Sequence, residues 1–506
     1  MNFSRSACFL ITAALCIVLF SSSLLEGSGA KSIVVPRDYQ DIQSAINAAS
    51  DGDIITVMAG TYSGFKVTKT LTIFGESNST VVIKDQIEIY ANNSKVGSMK
   101  VVLERPSSGL DSAIKVLASN VLLENMVVES TASGIQLGDM DHGWASASVE
   151  HCSITAGREN LTPKPGGIWG ACSMLGLYYS SVSVYNGSIG VGGCRSTQIM
   201  FSNIRSYDGT GVKMSSGELR NSTVSSATTA VLLTGRDAVV MGSRISGDIG
   251  IDIPAGSIAN SVEKSEIAGA SSGIRLTGSE NILRENIISG GQFAVELRGS
   301  NNYIVLNVLS GGRGVNALNG YGNTIALNFI NRTGHIGVYM SKSTGNNTIF
   351  GNVFWYCYNY CAADESGGNS WYIANETTKM GNYWYNHVSP DSNKDGIVDS
   401  PYAIATTTGK DVLDLYPLAS PPSQVLGVFS GTSTTTITTT ATTITSYTVT
   451  TATNTFPTKT TATGSETSSA STSAQGGGGY GNIVIASVAA VLLLSVMLLA
   501  VMRRRK

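Results

Sequence analysis

Charge is what this chain has least of. Only 13% of its 506 residues are charged and the formal net charge is −2. There is no basic field to hold nucleic acid, and no acidic tail. Histidine is scarce too: His142, His151, His335 and His387 are too scattered to form a zinc site. Of seven cysteines, Cys8 and Cys16 fall in the first 30 residues, leaving five for the rest of the chain.

What the chain has instead is recurrence. A small residue followed by an apolar one returns as Gly134-Ile135, Gly167-Ile168, Gly190-Val191, Gly211-Val212, Ala230-Val231, Gly250-Ile251, Gly273-Ile274, Ala294-Val295, Gly314-Val315 and Gly337-Val338. From Ile168 the apolar residue comes back after 23, 21, 19, 20, 23, 21, 20 and 23 positions, a solenoid period. A second phrase runs in step: Asn203-Ile204, Thr223-Val224, Arg244-Ile245, Glu266-Ile267, Asn286-Ile287, Asn307-Val308, Asn328-Phe329 and Asn352-Val353. Each period therefore holds at least two short strands, too small to bury an apolar face alone. Stacking the next turn about 4.8 Å along the axis supplies that burial. The Leu-x-x-Leu-x-Leu framework of leucine-rich repeats is missing, so the fold class is all-β, a parallel β-helix. The glycines that open the phrases are expected at tight corners with positive φ.

The two ends differ from the middle. Residues 1–30 carry Arg5, an apolar run from 7 to 20 and the small exit Ser28-Gly29-Ala30, as a removable export signal does. Residues 481–502 contain an unbroken apolar stretch from 483, long enough for one transmembrane helix, and 503–506 are the basic tetrad Arg-Arg-Arg-Lys. That tetrad predicts a cytoplasmic tail on a single-pass membrane protein whose remainder is extracellular. Residues 31–420 are the solenoid with its caps. Residues 421–480 form a disordered Thr/Ser-rich stalk with a Gly-rich joint, too poor in apolar residues to offset chain entropy.

Sequons that permit glycan stand at Asn78, Asn92, Asn160, Asn186, Asn221, Asn331, Asn346 and Asn375. Cys172 and Cys194 follow Gly167 and Gly190 near the same corner of successive turns, which suits a disulfide; Cys357 and Cys361 form a second candidate pair, leaving Cys152 over. An open solenoid end is an unprotected sheet edge. Residues 38–49 place Ile42, Ala45, Ile46 and Ala49 at helical spacing and predict an N-terminal cap helix.

The run 39–46 (Tyr-Gln-Asp-Ile-Gln-Ser-Ala-Ile), then 51–57 (Asp-Gly-Asp-Ile-Ile-Thr-Val) and 59–62 (Ala-Gly-Thr-Tyr), resembles the opening of pectin-lyase-like, right-handed parallel β-helix proteins. At the far end Gly381-Asn382-Tyr383-Trp384, the stretch 391–399 and Leu415-Tyr416-Pro417-Leu418 are similar to the closing segment of their NosD-like branch, common in archaeal and bacterial surface proteins. The resemblance spans residues 32–418. It implies a right-handed helix and a carbohydrate-related setting without naming a reaction, since that superfamily holds lyases, hydrolases, adhesins and copper-enzyme maturation factors.

Candidate sites follow from residue chemistry. Asp391, Asn393, Asp395 and Asp399 fall at positions 1, 3, 5 and 9 of an oxygen-rich loop, with Gly396 at the turn and the Ile397 carbonyl available, a spacing that wraps Ca²⁺ as a structural staple. Position 12 is Tyr402, so Asp411 or Asp414 would have to complete the shell. The candidate catalytic residues are Asp139, Asp141, His142 and Arg158, grouped with His151, Trp144 and Trp169 in one longer turn. Aromatics crowd between 354 and 385 and either fill the cap or stack on sugars. Trp371 and Trp384 join Trp144 and Trp169 as candidate binding residues. Along the repeat, Lys213, Leu232, Asp252, Arg275, Glu296, Asn316 and Tyr339 should form one outward column, with Asp252, Arg275 and Glu296 as a charge ladder, and Asn286, Asn307, Asn328 and Asn352 an amide ladder.

Two functional classes fit these features. One is a membrane-anchored, glycosylated, non-catalytic display protein that binds polysaccharide or surface-layer components. The other is a surface polysaccharide lyase or glycoside hydrolase. Copper-enzyme maturation is a third option, which the lack of Met/His/Cys clusters disfavours.

Overall fold

The computed structural model describes residues 30–139 and 141–425. Apart from their edges, the expected export signal, stalk, membrane helix and basic tail lie outside the described residues. Among the described residues no helix is long and apolar enough to cross a membrane.

The chain winds into about 15 turns of a right-handed parallel β-solenoid. Each turn contributes a strand to three parallel sheets, here sheet A, sheet B and sheet C in chain order. Sheet A includes Ser133–Leu137, Thr210–Met214 and Thr229–Leu233. Sheet B includes Gly217–Arg220, Val239–Met241 and Ser261–Glu263. Sheet C includes Ser181–Val184, Asn203–Ser206 and Thr223–Ser226. The strands alternate in burial because successive side chains point to opposite faces.

Stacking is in register. Ile135, Ile168, Val191, Val212, Val231, Ile251, Ile274, Val295, Val315 and Val338 form one interior row of sheet A, and every one is buried. Leu219, Val240, Val262 and Leu283 do the same in sheet B, and Val224, Ile245, Ile267 and Ile288 in sheet C. At roughly 2 kcal/mol for each buried aliphatic side chain, these rows are the source of cohesion between turns.

The phrase-opening glycines correct the expectation placed on them. Gly134, Gly211 and Gly273 are not at positive φ. They are needed because a Cβ at Gly273 would lie 2.6 Å from Ile288 Cγ2 and 2.7 Å from the Ala294 carbonyl of the next turn. Close approach of sheet C and of the following turn selects them. The corners that do adopt positive φ, between sheets B and C, are mostly other residues: Tyr179, Phe201, Asn221, Lys264, Glu285, Leu306 and Leu327.

After each of these corners comes an inward polar side chain. Ser180, Ser202, Ser222, Ser243 and Ser265 each place a hydroxyl oxygen where it accepts the backbone N–H of the equivalent residue one turn earlier. Asn286, Asn307, Asn328, Asn352 and Asn382 continue the pattern with their amides. A second ladder, Asn260, Asn281, Asn302, Asn323, Asn347 and Asn369, lines the A–B corner. The leftover Cys152 heads the first ladder: it is a free, buried thiol whose Sγ accepts from Met126 N at 3.4 Å.

Both ends are covered. The N-terminal helix, Ile42–Ala48, is shorter than the expected 38–49, and Asp41 caps it by accepting from Ser44 N. Ile42, Ala45 and Ile46 are buried over the first turn. The C-terminal end is filled by Phe354, Trp371 and Trp384. Cys172 pairs with Cys194 across successive turns at a Cα separation of 4.4 Å, and Cys357 with Cys361 at 5.1 Å.

Candidate functional site

The longer turn does not gather its residues in one place; it distributes them over three sides. Asp139 Oδ1 accepts from the backbone of Asp141 and His142 at 3.0 and 2.7 Å and from His142 Nδ1 at 2.8 Å, closing a loop between Gly138 and Gly143, both at positive φ. Asp141 is exposed. Burial pushes the Asp139 carboxyl up, but the bonds from His142 outweigh it and hold the carboxyl below its usual range. His151 stands at the B–C corner, stacked on Tyr179 at 5.2 Å. Arg158 lines a cavity of about 450 Å³ at the C–A corner with Tyr185, Asn186, Tyr207 and Asp208. The expected single group of Asp139, Asp141, His142, His151, Arg158 and Trp169 is therefore corrected. Half a turn of solenoid separates positions only a dozen residues apart.

The segment 141–144 instead stands at the A–B corner, between the strands Ser133–Leu137 and Ala145–Glu150. Toward the N-terminus the His142 ring meets Tyr90 edge-on at 5.5 Å, and the Tyr90 hydroxyl donates to Glu88. Lys66 reaches Glu88 at 3.2 Å, and Lys115 follows Glu88 in register. Glu88 pushes the Tyr90 phenol up to about 12, so this hydroxyl keeps its proton at neutral pH. Toward the C-terminus, exposed Trp144 carries the Arg195 guanidinium 4.5 Å over its ring. Trp169 follows Gln136 in the outward column, half-buried, with its Nε1 lacking a protein acceptor.

The outward column exists as a run in register from Lys213 through Leu232, Asp252, Arg275, Glu296 and Asn316 to Tyr339. Its charge ladder is shorter than expected. Arg275 forks onto Asp252, with Nε at 3.0 Å from Oδ1, while Glu296 turns to Arg298. Sequence reasoning missed Lys66, Glu88, Tyr90 and Arg195. The first two were within reach, since the column Lys66, Glu88, Lys115, Gln136 continues the repeat upstream of Gly134.

Trp371 and Trp384 are corrected as surface binding residues. They are 1% and 2% exposed, and their indole N–H groups donate to Asp364 and Asp414 inside the cap. In the 391–399 loop, Asp391 accepts from Asp395 N and Gly396 N, Asp395 accepts from Ile397 N, and Asp399 holds Ser392. Asn393 Nδ2 donates to Asp395. Asp414 does not complete this loop, because it is wholly buried and occupied by Asn382 and Trp384. Among the described residues no group of three or more His, Cys, Asp or Glu is placed to hold one ion.

Of the sequons, Asn92, Asn160, Asn221, Asn346 and Asn375 are exposed, whereas Asn78, Asn186 and Asn331 are half-buried.

Residues 192–389 match the family described as periplasmic copper-binding protein (NosD), so this part of the β-solenoid is similar to that family. No curated protein matches it. Among solved structures it is similar to a mannuronic acid specific polysaccharide family 6 lyase from human gut microbiota. Identity there is 14%, covering 65% of this chain and 87% of that one, with a TM-score of 0.41. It is also similar to the A-module of an Azotobacter vinelandii mannuronan C-5 epimerase, at 11% identity, 65% and 91% coverage and a TM-score of 0.31. The Dettilon tailspike protein gives 12%, 66% and 69%, and 0.38. No residue role passes to this chain from these likenesses.

The donors for copper do not fit that description here. His335 is turned to Asn359 and His387 to the Ser400 carbonyl. Met214 and Met340 face the core, and Cys194, Cys357 and Cys361 are in disulfides. Soft sulfur and imidazole ligands do not converge among the described residues.

Proposed function

We propose that this protein is an exported, membrane-anchored, glycosylated β-helix that binds polysaccharide or neighbouring surface components along the outer face of sheet A, without cleaving them. The supporting observation is the segment 141–144: its His142 meets Tyr90, which is hydrogen-bonded to Glu88 in a strip of Lys66, Glu88, Lys115 and Gln136 laid one per turn, and its exposed Trp144 carries Arg195 on the other side. A sugar ring stacks its apolar face on an indole, and cations spaced along the strip favour an acidic chain lying parallel to the axis. Export by residues 1–30, anchoring by 481–502 and a Ca²⁺ staple at 391–399 belong to the same reading.

Catalysis is the second reading, and one contact favours it: Asp139 orients the His142 ring as an acid orients a general base. Against it, Asp139 is committed to holding its own loop, and Tyr90 to Glu88. A glycan array run beside reducing-sugar and unsaturated-uronate assays tests both. Binding without product, weakened about tenfold by Trp144→Ala, supports the display protein. Product release that disappears in His142→Ala or Asp141→Ala makes the chain an enzyme.

A further inference from the structure

The aromatic-rich segment near the C-terminus divides into two populations. Phe354, Trp371 and Trp384 already fill the cap, ring against ring, with Phe354 and Trp384 stacked at 4.2 Å. A second set lies at the surface, with Tyr356 exposed and Trp355, Tyr383 and Tyr385 half-buried. Trp355, Tyr356, Tyr383 and Tyr385 form one contiguous patch, with centroids 5.3 to 6.4 Å apart. Beside it the Cys357–Cys361 disulfide closes a tight loop that presents Tyr358 at 84% exposure and Tyr360 at 58%. The loop is seated on the preceding turn by Tyr358 N to the Thr333 carbonyl and Asn359 N to the His335 carbonyl.

The Tyr358 ring contributes little burial to folding and the Tyr360 ring less than half of its surface, yet the loop that carries them is cross-linked and hydrogen-bonded. Such rigidity lowers the entropy lost on binding, and tyrosine adds contact area at the expense of only two torsions. Charge then selects the ligand. Residues 353–363 and 381–390 contain no Asp, Glu, Lys or Arg, and in the stretch 329–340 of the preceding turn Arg332, next after the Asn331–Trp355 pair, is the single charged residue, so an acidic chain meets one cation and no row of them, and most of its charges would lose hydration without compensation. An uncharged sugar has what the patch can use: an apolar ring face for the aromatic rings, and hydroxyls for the tyrosine phenols and for Asn359 and Asn386.

We propose that the Cys357–Cys361 loop and the adjoining Trp355, Tyr356, Tyr383 and Tyr385 form a binding site for an uncharged glycan, separate from the cation-bearing strip on sheet A. The test is affinity electrophoresis of the full-length protein through gels holding a neutral glucan, a neutral mannan, or alginate. Retardation by a neutral polysaccharide is expected. It should fall at least tenfold in the Tyr358→Ala/Tyr360→Ala variant and severalfold in Cys357→Ser/Cys361→Ser. Circular dichroism of both loop variants should match that of the parent. Failure of both neutral gels to retard the protein overturns the proposal, as does retention that survives the double tyrosine change. Sedimentation showing that this change converts a dimer to a monomer also overturns it, by assigning the patch to self-association. Loss of alginate retention in Trp144→Ala alone bears on the sheet A reading and leaves this one standing.

Discussion

The inner ladder makes a quantitative demand that a single substitution can test. Asn307 is 1% exposed. Its side-chain oxygen accepts from Asn286 N and from Asn286 Nδ2, both at 3.0 Å, and its own amide donates to the Leu283 and Val305 carbonyls and to Asn328 Oδ1. Asn307→Ala leaves the Asn286 backbone N–H and one Asn286 side-chain N–H buried without an acceptor. At about 1–3 kcal/mol for each orphaned group, the loss is about 2–6 kcal/mol. Asn307→Ser should lose about half of that, because a hydroxyl can still accept the backbone N–H, as Ser265 does for Ser243 at 3.2 Å. Hydrogen exchange read by mass spectrometry on peptides containing Asn286 is the assay. About 4 kcal/mol is close to a thousandfold faster exchange. The effect should centre on the turns of Asn286 and Asn307 and fade outward, because solenoid stability is a nearest-neighbour sum. Unchanged protection at Asn286 in the alanine variant, or equal effects of serine and alanine, refutes the ladder argument.

The remaining predictions concern the cap, the interior and the metal loop. Burial pushes the Asp414 carboxyl up to about 6, against the bonds from Asn382, Trp384 and Tyr416 that pull it down. A pKa raised on folding means that protonation stabilises the fold. The contribution is full below about pH 4 and is lost as pH rises through 6, by about 3 kcal/mol in all, which tryptophan fluorescence during denaturant titration at several pH values should show. Asp414→Asn should flatten that dependence. Gly273→Ala should cost about 1–3 kcal/mol by overpacking against Ile288, with Gly273→Val worse, measured by thermal melting. Ile274→Ala, which empties one site of the interior row, should cost about 2–5 kcal/mol in the same measurement. If 391–399 is a Ca²⁺ staple, Ca²⁺ raises the melting temperature, EDTA reverses it, and Asp395→Ala abolishes the response; no response removes calcium from the account.

The solenoid and its interior rows were legible because like residues return once per turn, so Ile251, Ile274 and Val295 could be placed over one another before any coordinates. The amide ladder from Asn286 to Asn352 was legible for the same reason. Its serine continuation from Ser180 to Ser265 was not, because serine is common enough in this chain to hide a column. The glycine error has a different origin. Composition shows that a side chain is excluded, but it does not distinguish positive φ from a carbonyl 2.7 Å away. The site was read least well. His142, His151 and Arg158 are close in sequence, yet a turn of some 21 residues carries them to different sides, and closeness within a turn is evidence against a shared face. Trp371 and Trp384 were ambiguous until Asp364 and Asp414 were seen to receive their indoles.

Those two aspartates also explain why the stack stops where it does. Each ladder is directional: every asparagine takes the N–H of the turn before it and gives its own amide hydrogen to the oxygen of the turn after it. The final member must therefore accept without needing a further acceptor, which asparagine cannot do and a carboxylate can. Asp414 accepts Asn382 N at 2.7 Å, Trp384 Nε1 at 2.9 Å and Tyr416 N at 3.1 Å. Asp364 closes the second ladder by accepting Asn369 Nδ2 at 3.0 Å, Trp371 Nε1 at 3.1 Å and Ser366 N at 2.9 Å. In both, an indole that fills the core donates to the acid that ends the ladder, so apolar closure and polar closure are joined at one residue. An asparagine at 414 would turn its NH₂ toward the Tyr416 N–H, donor against donor. Asp414→Asn therefore exchanges the buried charge, which costs about 3 kcal/mol at pH 7, for one donor facing a donor, about 1–3 kcal/mol: stability at pH 7 should change little while stability at pH 4 falls, and a variant as stable as the parent at pH 4 would break the link between the acid and the end of the stack.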